Sequence, residues 1–169
     1  MPAAAPSVRA LLAAAACAVA APAVADADAD ALGISVYGLS YHFDRDRARA
    51  LGVDNGFNPG LGVRYRFAER ERWTFVIEAA AYRDSGRNTA VVAGVAALWD
   101  VGSGFHLGGA LVAFDSPTYN RGRAFIAPIP LATYDWGPVT LNATFLPKVE
   151  RYNDVATLGF WVTYWPQRW

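Results

Sequence analysis

Proton and acyl transfer need few residue types, and this sequence is sparing with them. It has two histidines, His42 and His106, and one cysteine, Cys17. His42 follows Tyr41, and the run Tyr82-Arg83-Asp84-Ser85 sets a carboxylate beside a hydroxyl. An imidazole can take the proton of an attacking hydroxyl while a carboxylate orients or stabilises it. His42, Asp84 and Ser85 are therefore the parts of an acyl-transfer site. Asp-Ser after a strand is also ordinary turn chemistry, so the three matter only if the fold brings them together. No metal cluster, glycine-rich phosphate loop or haem motif occurs, and no cofactor is expected.

What must position these groups is a set of short alternating segments. Eight strands are predicted at 33–43, 60–67, 73–83, 89–99, 105–114, 124–134, 139–146 and 156–165. Their lengths, about 8–11 residues, cross a bilayer when tilted. In the second, Leu61, Val63, Tyr65 and Phe67 share one face while Gly62, Arg64 and Arg66 share the other. The third sets Trp73, Phe75, Ile77, Ala79 and Ala81 against Thr74, Glu78 and Tyr82. Such period-2 alternation puts one face in apolar surroundings. Aromatics recur at strand ends, among them Tyr41, Phe43, Trp73, Trp99, Phe105, Tyr134, Trp136 and Phe145, and Trp169 ends the chain. That placement suits two interfacial girdles.

Long polar connections at 44–59, 84–88, 115–123 and 147–155 alternate with short ones at 68–72, 100–104 and 135–138. This is the asymmetry of an outer-membrane barrel, with short periplasmic turns and longer external loops. The expected fold is all-β: an eight-stranded antiparallel up-and-down transmembrane β-barrel. The competing architecture is a soluble lipid-binding barrel, whose lumen would be apolar and exterior wet. A porin is excluded, since eight strands leave no open channel. If Tyr37, Leu39, Tyr41 and Phe43 face lipid, Gly38, Ser40 and His42 point inward. Strands one and three both run outward, so His42, Asp84 and Ser85 reach one external rim, and His106 lies near the opposite one.

Arg9, an alanine-rich apolar run and Ala23-Val24-Ala25 read as a cleaved signal peptide over 1–25, leaving a single barrel domain at 26–169. Cys17 leaves with it, which excludes a disulfide framework and a thiol nucleophile. Basic and acidic residues balance at 15 each with no basic cluster, so nucleic acid is not an expected partner. Export together with a barrel implies the outer membrane of a Gram-negative bacterium, and nothing demands more than a monomer.

Five short segments carry a family resemblance: Tyr41-His42, Tyr82-Arg83-Asp84-Ser85, Phe105-His106-Leu107-Gly108, Trp136-Gly137-Pro138-Val139-Thr140 and Leu146-Pro147. In order and spacing they resemble the lipid A palmitoyltransferases of the outer membrane, from about Tyr41 to Tyr164. The resemblance implies that His42, Asp84 and Ser85 are catalytic. It also implies a glycerophospholipid as acyl donor and lipid A as acceptor, both in the outer leaflet of the outer membrane. Donors of that family enter sideways where proline interrupts the hydrogen-bond ladder. Pro130 and Pro147 resemble one such gap pair, and Pro59 resembles half of a second. The family's acyl pocket is floored by a glycine on strand four. Ala96 stands there in this chain, with Gly94 two residues before, and the added methyl predicts an acyl chain of palmitoyl length or somewhat shorter.

Two departures stand out. The family's amphipathic N-terminal helix has no room between Ala25 and the first strand. Gly86 replaces an aromatic after Ser85, which predicts a more mobile loop. The alternative function is a non-catalytic barrel of the same ancestry.

Overall fold

The computed structural model describes residues 32–150 and 152–166; the signal segment, the span before the first strand and Trp169 lie outside the described residues. Eight strands form: β1 (Leu32–His42), β2 (Phe57–Arg70), β3 (Trp73–Arg83), β4 (Thr89–Gly102), β5 (Phe105–Asp115), β6 (Phe125–Trp136), β7 (Val139–Leu146) and β8 (Thr157–Tyr164). Each pairs antiparallel with its chain neighbour, and β8 closes on β1. The architecture is a closed all-β up-and-down barrel, as the alternation predicts. Tight turns lie at one end, with left-handed backbone at Glu71, Ser103, Gly104 and Gly137. Longer connections occupy the other end and carry a short helix, α1 (Arg45–Ala50), and a 3-10 turn at Asn120–Gly122.

Burial follows the two faces. Ile34, Val36, Leu61, Val63, Leu107, Leu111, Leu141 and Val162 are exposed on the outside, whereas Ser35, Arg64, Thr133, Thr140, Asn142 and Thr163 are buried inside. A soluble barrel would show the reverse, because a greasy belt of this extent is stable only against other apolar matter. Aromatic rings gather at both ends of the belt. Tyr41, Phe43 and Phe145 make edge contacts near the long loops, while Trp73, Phe75, Trp99, Phe105 and Tyr134 cluster near the short turns.

Tyr37 departs from the expected pattern: it points into the lumen rather than toward lipid. β1 shifts register between Tyr37 and Leu39 against both of its neighbours. The resulting bulge at Gly38 skips one step of the alternation. Ser35 and Tyr37 therefore face inward before it, and Ser40 and His42 face inward after it. Without the skipped step, the parity that buries Ser35 would turn His42 outward.

Halfway up the lumen, Arg64 crosses the barrel and is only 1% exposed. It pairs with Glu78 and donates to Asn142 Oδ1 at 2.6 Å, while the Tyr37 hydroxyl donates to Glu78 at 2.9 Å. Tyr37 is stacked between Tyr82 and Trp161, and the guanidinium lies over the Trp161 ring. Removing one member of a buried ion pair strands the other without compensation. Arg64→Ala is thus expected to lower stability by about 3–5 kcal/mol, with Arg64→Met/Glu78→Leu recovering much of the loss. Urea unfolding in lipid vesicles measures both, and an unchanged midpoint for Arg64→Ala would rule the network out as a structural element.

Candidate functional site

His42 ends β1 and Ser85 follows β3 by two residues, both at the end with the long loops. The barrel brings them into contact: His42 Nε2 and Ser85 Oγ lie 2.9 Å apart, and both residues are buried. A hydroxyl held on an imidazole nitrogen at this distance is the arrangement in which the ring can withdraw the hydroxyl proton.

Asp84 is adjacent, and its hydrogen bonds go to loops rather than to the imidazole. Its Oδ1 accepts the backbone amides of Gly86 and Asn88, each at 2.9 Å, and its Oδ2 accepts the Ser116 hydroxyl. Both oxygens are spent on loops, and no hydrogen bond joins Asp84 to His42. The carboxylate organises the 84–88 turn, as Asp side chains do when they satisfy nearby backbone donors. Asn55, from the β1–β2 loop, fastens the same turn. Its side chain donates to the Asp84 carbonyl at 3.1 Å, and its backbone amide donates to the Ser85 carbonyl at 3.1 Å. Arg87 donates to Asp54 at 3.0 Å, which holds that exposed carboxyl below its usual range and adds a second tie between the two loops.

Gly86, expected from its type to loosen the loop, sits in a hydrogen-bonded turn. Its amide is held by Asp84, and a Cβ there would run into the Thr118 side chain. A side chain there would need Thr118, on the β5–β6 loop, to shift. That loop also brings Tyr119 against Ser85. Burial pushes the Tyr119 phenol up to about 12, partly offset by the hydroxyl and amide of Ser85, so it keeps its proton well into the alkaline range. Asn55, Ser116 and Tyr119 escaped sequence reasoning. Ser116 meets Asp84 across 32 residues, and no local pattern announces such a contact.

Ser85 stands where two spaces meet, and a third opens beside Tyr119. Below it an apolar cavity runs into the barrel, lined by Val92, Gly94, Ala96, Val112, Ile129 and Leu131. Ala96 lies deep, in a buried cluster with Val76, Leu98, Leu131 and Trp161, two residues further toward the short turns than Gly94, which pairs with Glu78. Gly94 belongs to the wall, where a Cβ would strike the β5 backbone at Leu111. Above Ser85 a polar cleft includes His42, Thr118, Asn120, Arg121 and Asp154. To the side, Tyr119 borders an apolar gap between Ile126, Pro128, Leu146 and Pro147.

That gap arises because the β6–β7 ladder stops at Leu131 and Thr144. Pro130 is the next residue outward on β6, its carbonyl taken by the Thr144 hydroxyl at 2.8 Å, and Pro147 immediately follows β7. Pro59 behaves differently. It sits in an irregular stretch of β2, but the ladder to β1 resumes at Leu39 and Phe57, so no second opening forms there. Among the described residues no group of three or more His, Cys, Asp or Glu is arranged to hold a metal. His106 lies at the far end of the lumen with Arg66, Asp135 and Thr140.

The two roles can be separated by amide exchange and imidazole shifts. Asp84→Ala is expected to speed exchange at Gly86 and Asn88 about tenfold or more, in line with hydrogen bonds to a charged group, while leaving the His42 ring shifts in place. Ser85→Ala should do the opposite. His42 shifts that move as much with Asp84→Ala as with Ser85→Ala would restore Asp84 to the proton path.

No family model matches the chain, and no curated protein matches it. Among solved structures it is similar to the Yersinia pestis outer membrane protein Ail in a phospholipid bilayer nanodisc. The two are 14% identical over 80% of this chain and 99% of that one, with a TM-score of 0.47.

Proposed function

We propose that this chain is an outer-membrane acyltransferase that moves a fatty acyl chain from a glycerophospholipid to a hydroxyl of lipid A. One observation carries the reading: the Ser85 hydroxyl rests on His42 Nε2 at the mouth of a cavity fit for an alkyl chain. The apolar exterior and aromatic rims support a membrane location, and the N-terminal segment, read as an export signal, supports the outer one.

His42 Nε2 takes the Ser85 proton as Oγ attacks the donor ester, and the proton passes to the glycerol oxygen that leaves. The acceptor hydroxyl then gives its proton to His42 and attacks the acyl-serine, and the imidazolium returns a proton to Oγ. Tyr119, which keeps its proton beside Ser85, donates to the ester oxygen in this reading as negative charge develops. The β6–β7 gap at Pro130 and Pro147 gives membrane lipid a lateral approach to the cavity.

Lipid A mass spectra from cells with and without the protein test the reading. Ser85→Ala and His42→Ala are expected to lower acylation by about 10²–10⁴-fold. Intact protein that leaves lipid A unchanged would favour a non-catalytic barrel. In the same assay Tyr119→Phe should reduce turnover with little change in donor KM. The rate should rise with pH as His42 loses its proton and then stay level into the alkaline range, because neither Tyr119 nor the hydroxyls titrate there.

Acyl length offers a further check. Ala96→Gly should shift preference toward longer chains and Ala96→Leu toward shorter ones, since the Ala96 methyl sits deep in the cavity. Identical donor profiles for the two variants would remove Ala96 as a determinant of length.

A further inference from the structure

An alkyl chain accounts for the apolar cavity below Ser85 but leaves the polar cleft above it without an occupant. A lipid whose reacting ester sits at Ser85 must put its chain in one space and its head in the other. The charges in and around the cleft show what kind of head it suits.

Most arginines near this rim are already engaged. Arg47 lies 3.7 Å from Asp154 and donates to its carbonyl, Arg49 pairs with Asp46 at 3.2 Å, Arg87 pairs with Asp54 at 3.0 Å, and Arg45 lies over the Tyr41 ring. Asp154, the carboxylate of the cleft, is thus taken up by Arg47. Arg121 lines the same cleft and, among the described residues, makes no hydrogen bond, ion pair or ring contact. The cleft therefore presents one uncommitted guanidinium near the Ser85–His42 pair.

The backbone that presents it is unusual. Asn120 and Arg121 both have left-handed dihedrals, φ 46° and 56°, followed by Gly122 at 75°. Non-glycine residues hold that region only where the surrounding structure fixes them. The turn is held by the Asn120 side chain on the Arg123 carbonyl at 3.1 Å, the Gly122 amide on the Tyr119 carbonyl at 2.8 Å, and the Asn120 amide on the Tyr152 carbonyl at 3.3 Å. These bonds fix a strained conformation that places Arg121 at the cleft.

We infer that the cleft binds a phosphate ester of a membrane lipid, with Arg121 as the contacting residue. A guanidinium offers paired donors that match phosphate oxygens, and it keeps its charge at every relevant pH. The inference rests on the acyl-transfer reading for its choice of lipid but not for its chemistry. Two lipids carry such an ester: the acceptor through its sugar phosphates and the donor through its glycerol phosphodiester.

Binding without turnover separates the possibilities. Full-length protein carrying Ser85→Ala, in detergent micelles, is titrated with bisphosphorylated lipid A, with dephosphorylated lipid A, with phosphatidylglycerol and with diacylglycerol. At least one phosphorylated lipid is expected to bind about tenfold more tightly than its phosphate-free partner. Adding Arg121→Gln should erase that difference, and Arg121→Lys should keep part of it. Whichever pair shows the difference identifies the source of the phosphate. Equal binding of both pairs, or a difference that survives Arg121→Gln, overturns the inference. Acyl transfer by protein with Ser85 intact is followed in parallel. Phosphate-dependent binding without transfer would sustain the inference while removing the acyltransferase reading.

Discussion

The buried Arg64 network is the constraint around which the lumen is arranged. With the outer face given over to apolar side chains, polarity must be resolved inside, where every charge needs a partner. Arg64, Glu78, Asn142 and Tyr37 meet that need across the barrel rather than along one strand. Asn142 extends the network by donating to Thr163, which bonds Ser35. Toward the short turns the lumen stays polar, with Trp165 donating to Thr140 and Thr140 to Asp135. Toward the long loops the stacked Tyr82, Tyr37 and Trp161 rings cap the network with apolar surface. Arg64 and Glu78 thus also line the inner part of the apolar cavity.

The same parity argument governs the rim. Two inward-facing groups on β1, Ser35 in the network and His42 at the mouth, are seven residues apart, an odd spacing that strict alternation forbids. The bulge at Gly38 reconciles them, so one local irregularity serves both the core and the site. Ser85 is then held to His42 from three directions, by Asn55 of the first long loop, by Asp84 of its own, and by Ser116 and Tyr119 of the third. A hydroxyl carried on a loop gains in this way the fixed geometry that strands normally provide.

The strands, their faces and the long-short alternation of loops were legible because each is a local property: period two, turn residues and aromatic ends. The shared rim of His42 and Ser85 followed from topology alone, since odd-numbered strands run the same way. What could not be read depended on contacts between distant segments. Tyr37 was assigned outward because the Gly38 bulge carries no marker beyond the glycine itself. Asp84 was assigned to the imidazole because adjacency to Ser85 says nothing about where two carboxylate oxygens point. Nothing local to Gly86 shows that Thr118, from another loop, packs against it. Pro130 and Pro59 look alike in sequence, yet only the first lies where pairing to the neighbouring strand stops.

That last contrast has a physical basis. An unpaired backbone group facing hydrocarbon costs several kcal/mol, so a barrel cannot leave its ladder open without compensation. Residues 125–130 of β6 keep β5 as a partner but have no ladder pairing to β7. Pro128 and Pro130 bring no amide hydrogen to that stretch, and the Thr144 hydroxyl takes the Pro130 carbonyl, so several groups that would be stranded are removed or satisfied. Around Pro59 the chain instead restores pairing within three residues. A sheet that closed fully at β6–β7 would bury these groups at lower cost. The stretch next to Tyr119 and the apolar cavity is nevertheless the one left open, with proline and a threonine hydroxyl limiting the penalty, which is the pattern expected where access to the cavity from the side matters more than ladder energy.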